Sequence, residues 1–146
     1  MKKNILILLV EDNHRDEALS LRALKKTNLI DEIIVTRNGI EAVDYLYGTG
    51  IYTNRDLSEM PRFILLDLKL PKMNGFQVLQ KIREDERTKH LPVIIFTSST
   101  EEQDLINSYN LGANSYIQKP LDFMQFSETI RNIGFNWLML NKTVFD

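Results

Sequence analysis

The chain has 146 residues, 43% hydrophobic and 26% charged; that is enough apolar material for one domain with a real core and does not suggest disorder. A formal net charge of −2 gives no general pull toward nucleic acid or an anionic membrane, and no nucleic-acid partner is expected. The absence of cysteine excludes disulfides and thiolate metal centres.

Lys2 and Lys3 ahead of an apolar run imitate the start of a signal peptide. The run stops at Glu11 and Asp12, too short for a hydrophobic signal core and without a small-residue cleavage site. Residues 5–10 instead read as a strand buried on both faces of a parallel sheet. No other apolar stretch could span a bilayer. Asn141-Lys142-Thr143 fits a glycosylation sequon only by chance if no secretory signal precedes it. A cytoplasmic, soluble protein without membrane contact is expected.

Asn13 can cap a helix running through Ala18, Leu21 and Leu24 to about Thr27. A second strand spans residues 33–36, and Arg37-Asn38-Gly39 turns into a helix through Ala42, Val43 and Leu46. Gly48, Gly50, Asn54 and Pro61 mark a loop too punctuated to be helical. Residues 63–66 form a third strand ending at Asp67, and Asn74 or Gly75 opens a helix through Val78, Leu79 and Ile82. Residues 93–96 form the fourth strand, and Leu105, Ile106 and Leu111 belong to the next helix. A short fifth strand covers residues 115–117. Phe123, Phe126, Ile130, Ile133 and Trp137 then draw one apolar stripe on a last helix.

Five strand-then-helix units predict an α/β fold, a doubly wound five-stranded parallel sheet in the order 2-1-3-4-5. In such sheets sites form beyond the C-terminal ends of the strands, where the strand order switches. The polar residues fall there: Glu11 and Asp12 after the first strand, Asp67 after the third, Thr97 and Ser98 after the fourth, and Lys119 after the fifth. One strand-end Asp is ordinarily a helix cap or a solvated loop residue, and Thr97-Ser98 could simply cap the next helix. Together they make a specific set. Neighbouring carboxylates repel unless compensated, and their oxygens suit a hard divalent cation such as Mg2+. A fixed cation at Lys119 and a hydroxyl at Thr97 complete a set suited to phosphoryl transfer, in which a carboxylate can be the nucleophile.

The segments Ile7-Leu8-Leu9-Val10-Glu11-Asp12-Asn13, Leu65-Leu66-Asp67-Leu68-Lys69-Leu70-Pro71, Met73-Asn74-Gly75, Phe96-Thr97-Ser98 and Lys119-Pro120 resemble, in order and spacing, those of bacterial response-regulator receiver domains. The resemblance covers about residues 4–133 and implies the flavodoxin-like receiver fold. It also implies phosphorylation of Asp67 by a partner sensor histidine kinase, the chain catalysing only its own phosphorylation and dephosphorylation. Asp12, Asp67 and the Lys69 backbone carbonyl would ligate Mg2+, and Glu11 would hold a coordinated water. Thr97 and Lys119 would engage the phosphoryl oxygens, and Tyr116 would be the aromatic that moves with Thr97. Lys69 and Ser99 occupy positions that commonly tune dephosphorylation.

The insertion between Gly48 and Pro61 resembles stand-alone regulators partnered with phytochrome-type kinases, although a tolerated surface insertion explains its length equally well. Residues 1–146 read as one receiver domain with an extended last helix and tail from about 121, leaving no room for a DNA-binding output domain. Phe135, Trp137, Leu138, Met139, Leu140, Val144 and Phe145 surround that helix, which predicts a homodimer through it or a tail folded back on its own domain. Kinase docking in the family points to Leu19, Ala23 and Leu121. His14 and His90 lack partners at metal-ligand spacing.

Two enzyme readings compete. A phosphatase that forms an aspartyl-phosphate would place Asp-x-Asp after the first strand, and a metal-dependent nuclease would need a further Asp-x-Asp; neither is present. A receiver reduced to an interaction module would lack Asp67, Thr97 or Lys119, and all three are present.

Overall fold

The computed structural model describes residues 4–140. Strands β1 (Leu6–Val10), β2 (Glu32–Thr36), β3 (Phe63–Leu66), β4 (Val93–Thr97) and β5 (Ser115–Gln118) alternate with helices α1 (His14–Lys25), α2 (Gly39–Tyr47), α3 (Gly75–Glu84), α4 (Glu102–Asn110) and α5 (Phe123–Phe135). The sheet is wholly parallel in the order β2-β1-β3-β4-β5, as the alternation of elements predicts.

The central strands are apolar on both sides because both faces are covered. Leu8, Val10, Ile64, Leu66, Val93 and Ile95 pack with α2 and α3, including Val43, Leu46, Val78 and Ile82. The alternate residues Ile7, Leu9, Phe63, Leu65, Ile94 and Phe96 pack with α1 and α5, including Leu24, Phe126, Ile130 and Ile133. A period of two thus sorts one continuous apolar run into two cores.

Side-chain caps fix where the helices begin. Asn13, Asn38, Asn74 and Asp122 each accept a backbone N–H from the first turn of α1, α2, α3 and α5. Helix α4 has no side-chain cap at Glu101. Instead the Ser99 hydroxyl donates to Asp104 at 2.6 Å and accepts from the Glu101 N–H at 3.2 Å, so neither Thr97 nor Ser98 serves as the cap. Leu111 lies just past the helix as its C-cap.

Between α2 and β3 the insertion contains one 3-10 turn, Gly50–Tyr52, and is organised by Arg55. The Arg55 guanidinium donates to the carbonyls of Tyr45 and Glu59 at 2.6 Å and lies 4.1 Å from the Tyr45 ring centre. The segment is therefore a folded lobe.

Two elements differ from expectation at the end of the chain. Phe123, the first residue of α5, does not join the apolar stripe but is about half exposed. After Phe135 the helix widens into a π-helical turn, Asn136–Leu140. Trp137 and Leu138 pack on the α1/α5 core, whereas Phe135, Met139 and Leu140 are exposed. Val144 and Phe145, like Lys2, Lys3 and the sequon at Asn141, lie outside the described residues.

Candidate functional site

Parallel pairing carries the ends of β1, β3, β4 and β5 to one edge of the sheet. Val10 lies level with Leu66, so Glu11 and Asp67 leave adjacent strands side by side, and the Asp67 N–H donates to the Val10 carbonyl at 3.1 Å. Thr97 closes β4, and its carbonyl accepts the Lys119 N–H at 2.7 Å. This brings Lys119 back toward the strands that carry the acids.

The Lys119 ammonium is buried and sits 2.8 Å from Glu11 Oε2, 2.8 Å from Asp67 Oδ2 and 2.9 Å from Asp16 Oδ2. Asp67 Oδ1 also accepts the Leu68 N–H at 2.7 Å and the Lys69 N–H at 3.4 Å. Burial alone disfavours the Lys119 ammonium, but the Asp67 and Glu11 carboxylates reverse this and hold its pKa above the ordinary lysine range. Burial and the adjacent Asp67 charge push Glu11 up to about 7, against the opposing hydrogen bond from Lys119.

With Glu11 ionised, one cation among three buried acids leaves a surplus of two negative charges (three minus one). That surplus matches a divalent cation. Among the described residues no three His, Cys, Asp or Glu side chains gather as a ready-made cage, because Lys119 stands among the carboxylates. Mg2+ does not require a cage: it keeps several waters and takes one or two protein carboxylates. Asp67 and Glu11 offer buried carboxylate oxygens, one able to meet the ion and one able to hold a water on it, and Asp12, next in the chain to Glu11, is exposed. The donor set therefore fits Mg2+.

The remaining expected site residues divide. Thr97 is fully buried, and its hydroxyl oxygen accepts the Ser99 N–H at 3.4 Å. Tyr116 is half-buried; its hydroxyl donates to the Ser99 carbonyl at 3.4 Å, and its N–H donates to the Tyr109 hydroxyl at 3.2 Å. Tyr116 is thus tied to the loop that follows Thr97. Asp12 makes no hydrogen bond or ion pair among the described residues, and the Lys69 side chain is exposed.

Asp16 was not anticipated. Its signal was present, since Asp16 falls on the buried stripe of α1 with Leu19, Ser20, Ala23 and Leu24. An acid on a buried helical stripe needs a partner, and that partner is Lys119.

One of the three expected docking residues is corrected: Leu19 is 7% exposed and packs inside the α1/α5 core. Ala23 belongs to the same core but also lines a surface cleft, and Leu121 is 93% exposed. The accessible feature nearby is a cleft between α1 and α5, where Arg22, Lys26 and Arg131 meet Phe123 and Met124.

The response regulator receiver domain family matches residues 7–131. Response regulator Rcp1 of Synechocystis sp. is 38% identical over 133 residues, covering 91% of this chain and 88% of that protein. The probable methanogenesis regulatory protein FilR2 of Methanothrix harundinacea is 38% identical over 141 residues, covering 94% and 86%. The crystal structure of the phosphorylated cyanobacterial phytochrome response regulator RcpA superposes with a TM-score of 0.91 at 36% identity, covering 97% of this chain and 99% of that one. The Mn2+-bound form of Rcp1 gives 0.88 at 36% identity, covering 95% and 98%. Extent of match, strand order and the acids at the strand ends agree: the chain belongs to the response regulator receiver domain family and is a response regulator of two-component signalling.

Proposed function

We propose that the chain takes a phosphoryl group from the phosphohistidine of a sensor histidine kinase onto Asp67, and signals through protein contacts. The observation that carries this reading is the contact of the Asp67 carboxylate with Lys119 at 2.8 Å, inside a cluster that also holds Glu11. An Asp67 oxygen attacks phosphorus and the bond from phosphorus to the imidazole nitrogen breaks; the imidazole leaves with that electron pair and takes up a proton. Lys119 and the Thr97 hydroxyl hold the phosphoryl oxygens, and the buried surroundings keep water away. Asp12, Asp67 and the Lys69 carbonyl would hold Mg2+, with Glu11 taking a coordinated water, and the ion would supply neutralisation of oxygen charge. Hydrolysis of the aspartyl-phosphate returns Asp67, so the chemistry acts on the chain itself and not on an outside substrate.

A phytochrome-type kinase is the partner we favour. The folded Arg55 lobe supports it, as does the likeness to RcpA, whose structure is described as that of a phytochrome response regulator. The cationic and apolar cleft between α1 and α5, with Leu121 beside it, suits an acidic helical surface on that kinase. A second copy of this chain would cover the exposed Phe135, Met139 and Leu140.

Incubation with acetyl phosphate and Mg2+, followed by intact-mass measurement of wild type and Asp67→Asn, tests the central reading. One phosphoryl unit on the wild type alone is expected. An equal adduct on both proteins, or steady turnover of unrelated phosphoesters, would overturn it.

A further inference from the structure

An ammonium has three N–H donors, and in Lys119 each has a carboxylate within 2.9 Å: Glu11, Asp67 and Asp16. The first two lie on strand ends and belong to the set proposed to meet the cation and the phosphoryl group. Asp16 does not. It sits in the first turn of α1, held there by its N–H donating to the Asn13 side chain at 2.9 Å, and it is buried. Its other carboxylate oxygen has only a long contact, 3.9 Å, to the largely exposed Arg15 guanidinium.

Once Asp67 carries a phosphoryl group and Glu11 turns to a coordinated water, both strand-end partners of Lys119 are engaged elsewhere. A carboxylate outside that exchange is the partner that stays the same before, during and after the phosphoryl group arrives. Lysine on its four-carbon stem has much rotamer freedom to lose, so one fixed partner narrows where Nζ can be when the phosphoryl group arrives. We infer that Asp16 is a positioning residue that holds the Lys119 ammonium against the Asp67 carboxylate from the α1 side, and so sets the rate of phosphoryl capture and the lifetime of the aspartyl-phosphate.

This inference rests on the receiver chemistry proposed above, and its test separates the two. Asp16→Asn removes the charge but leaves a carbonyl able to accept from Lys119, whereas Asp16→Ala removes both. The first readout needs no phosphoryl donor: the 15N signal of the Lys119 ammonium in the full chain, visible when its protons are held and exchange slowly. The signal is expected in wild type and Asp16→Asn and is expected to broaden away in Asp16→Ala. An unchanged signal in Asp16→Ala overturns the inference, whatever phosphorylation shows.

The second readout is phosphorylation by acetyl phosphate with Mg2+ at saturation. Asp16→Ala is expected to be at least about tenfold slower, the consequence of one lost charge-assisted hydrogen bond, while Asp16→Asn stays within about threefold of wild type, well short of that loss. If both variants are faster, Asp16 acts by repelling the anionic donor and positioning is refuted. If both match wild type, positioning is refuted as well. A wild type that takes no phosphoryl group while its ammonium signal depends on Asp16 retires the receiver chemistry and leaves the positioning intact. Should Asp16→Ala fail to fold in a thermal melt, Asp16→Ser, whose hydroxyl is too short for the same contact, takes its place with the same outcomes.

Discussion

Glu11 and Lys119 are the residues at which burial and charge compete most sharply, and Glu11 gives the competition a measurable consequence. In the unfolded chain its carboxyl ionises near the ordinary glutamate value of 4.5; in the fold it is pushed up to about 7 by burial and by Asp67. Between those values the folded protein holds a proton that the unfolded chain has lost. Stability from this group therefore falls as pH rises from about 4.5 to about 7, and the full cost is present above 7. Thermal melts of the metal-free protein from pH 5 to 8 should show wild type losing ground to Glu11→Gln as pH rises. A difference between the two that does not change with pH would contradict this assignment. The sign also implies that a divalent cation binds more tightly above pH 7, where Glu11 is ionised without a proton to displace.

At the scale of elements, the site depends on how closely α3 approaches the end of β3. A Cβ on Gly75 would lie 2.3 Å from the Asp67 carbonyl oxygen and 2.7 Å from the Leu68 Cα. Both are backbone atoms that cannot turn aside, so only glycine lets the capped end of α3 close against the end of β3. Gly75→Ala is expected to cost about 2 kcal/mol in chemical denaturation and to slow phosphorylation by displacing Asp67. A loss below about 0.5 kcal/mol, the range of an ordinary surface substitution, would show that α3 yields easily. The strands and caps were legible beforehand because their signals are local: an apolar run ending in an acid, or an Asn ahead of a helical stripe. The π-helical turn after Phe135 was not, because no local signal separates it from a continued α-helix. Nor was the Asp16 contact, whose partner lies 103 residues away in sequence.

For the whole molecule, parallel topology converts scattered sequence positions into one site. That Glu11, Asp67, Thr97 and Lys119 come together at one sheet edge was legible in the sequence because each ends an apolar run and the strand order joins those ends. Docking positions were harder to read. Leu19 carries the apolar character of a contact residue but is buried in the α1/α5 core, and periodicity alone does not say which side of a helix a partner takes. The exposed Phe135, Met139 and Leu140 lead to a different expectation. Sedimentation of wild type at micromolar concentration should show a dimer, and Met139→Glu with Leu140→Glu should shift it to monomer. A wild type that stays monomeric with and without phosphorylation would remove the C-terminal helix as the self-association surface. Among the described residues no helix is long and apolar enough to cross a membrane.

Trapping the aspartyl-phosphate tests the central claim most directly. Borohydride reduces an acyl phosphate to an alcohol, so an aspartyl-phosphate becomes homoserine at the modified position. After treatment with acetyl phosphate and Mg2+, peptide sequencing by mass spectrometry should find homoserine at position 67 and nowhere else. Homoserine at another acid, at Asp12 or Asp16 for instance, or no reduced residue in a protein that has gained phosphate, would contradict Asp67 as the acceptor.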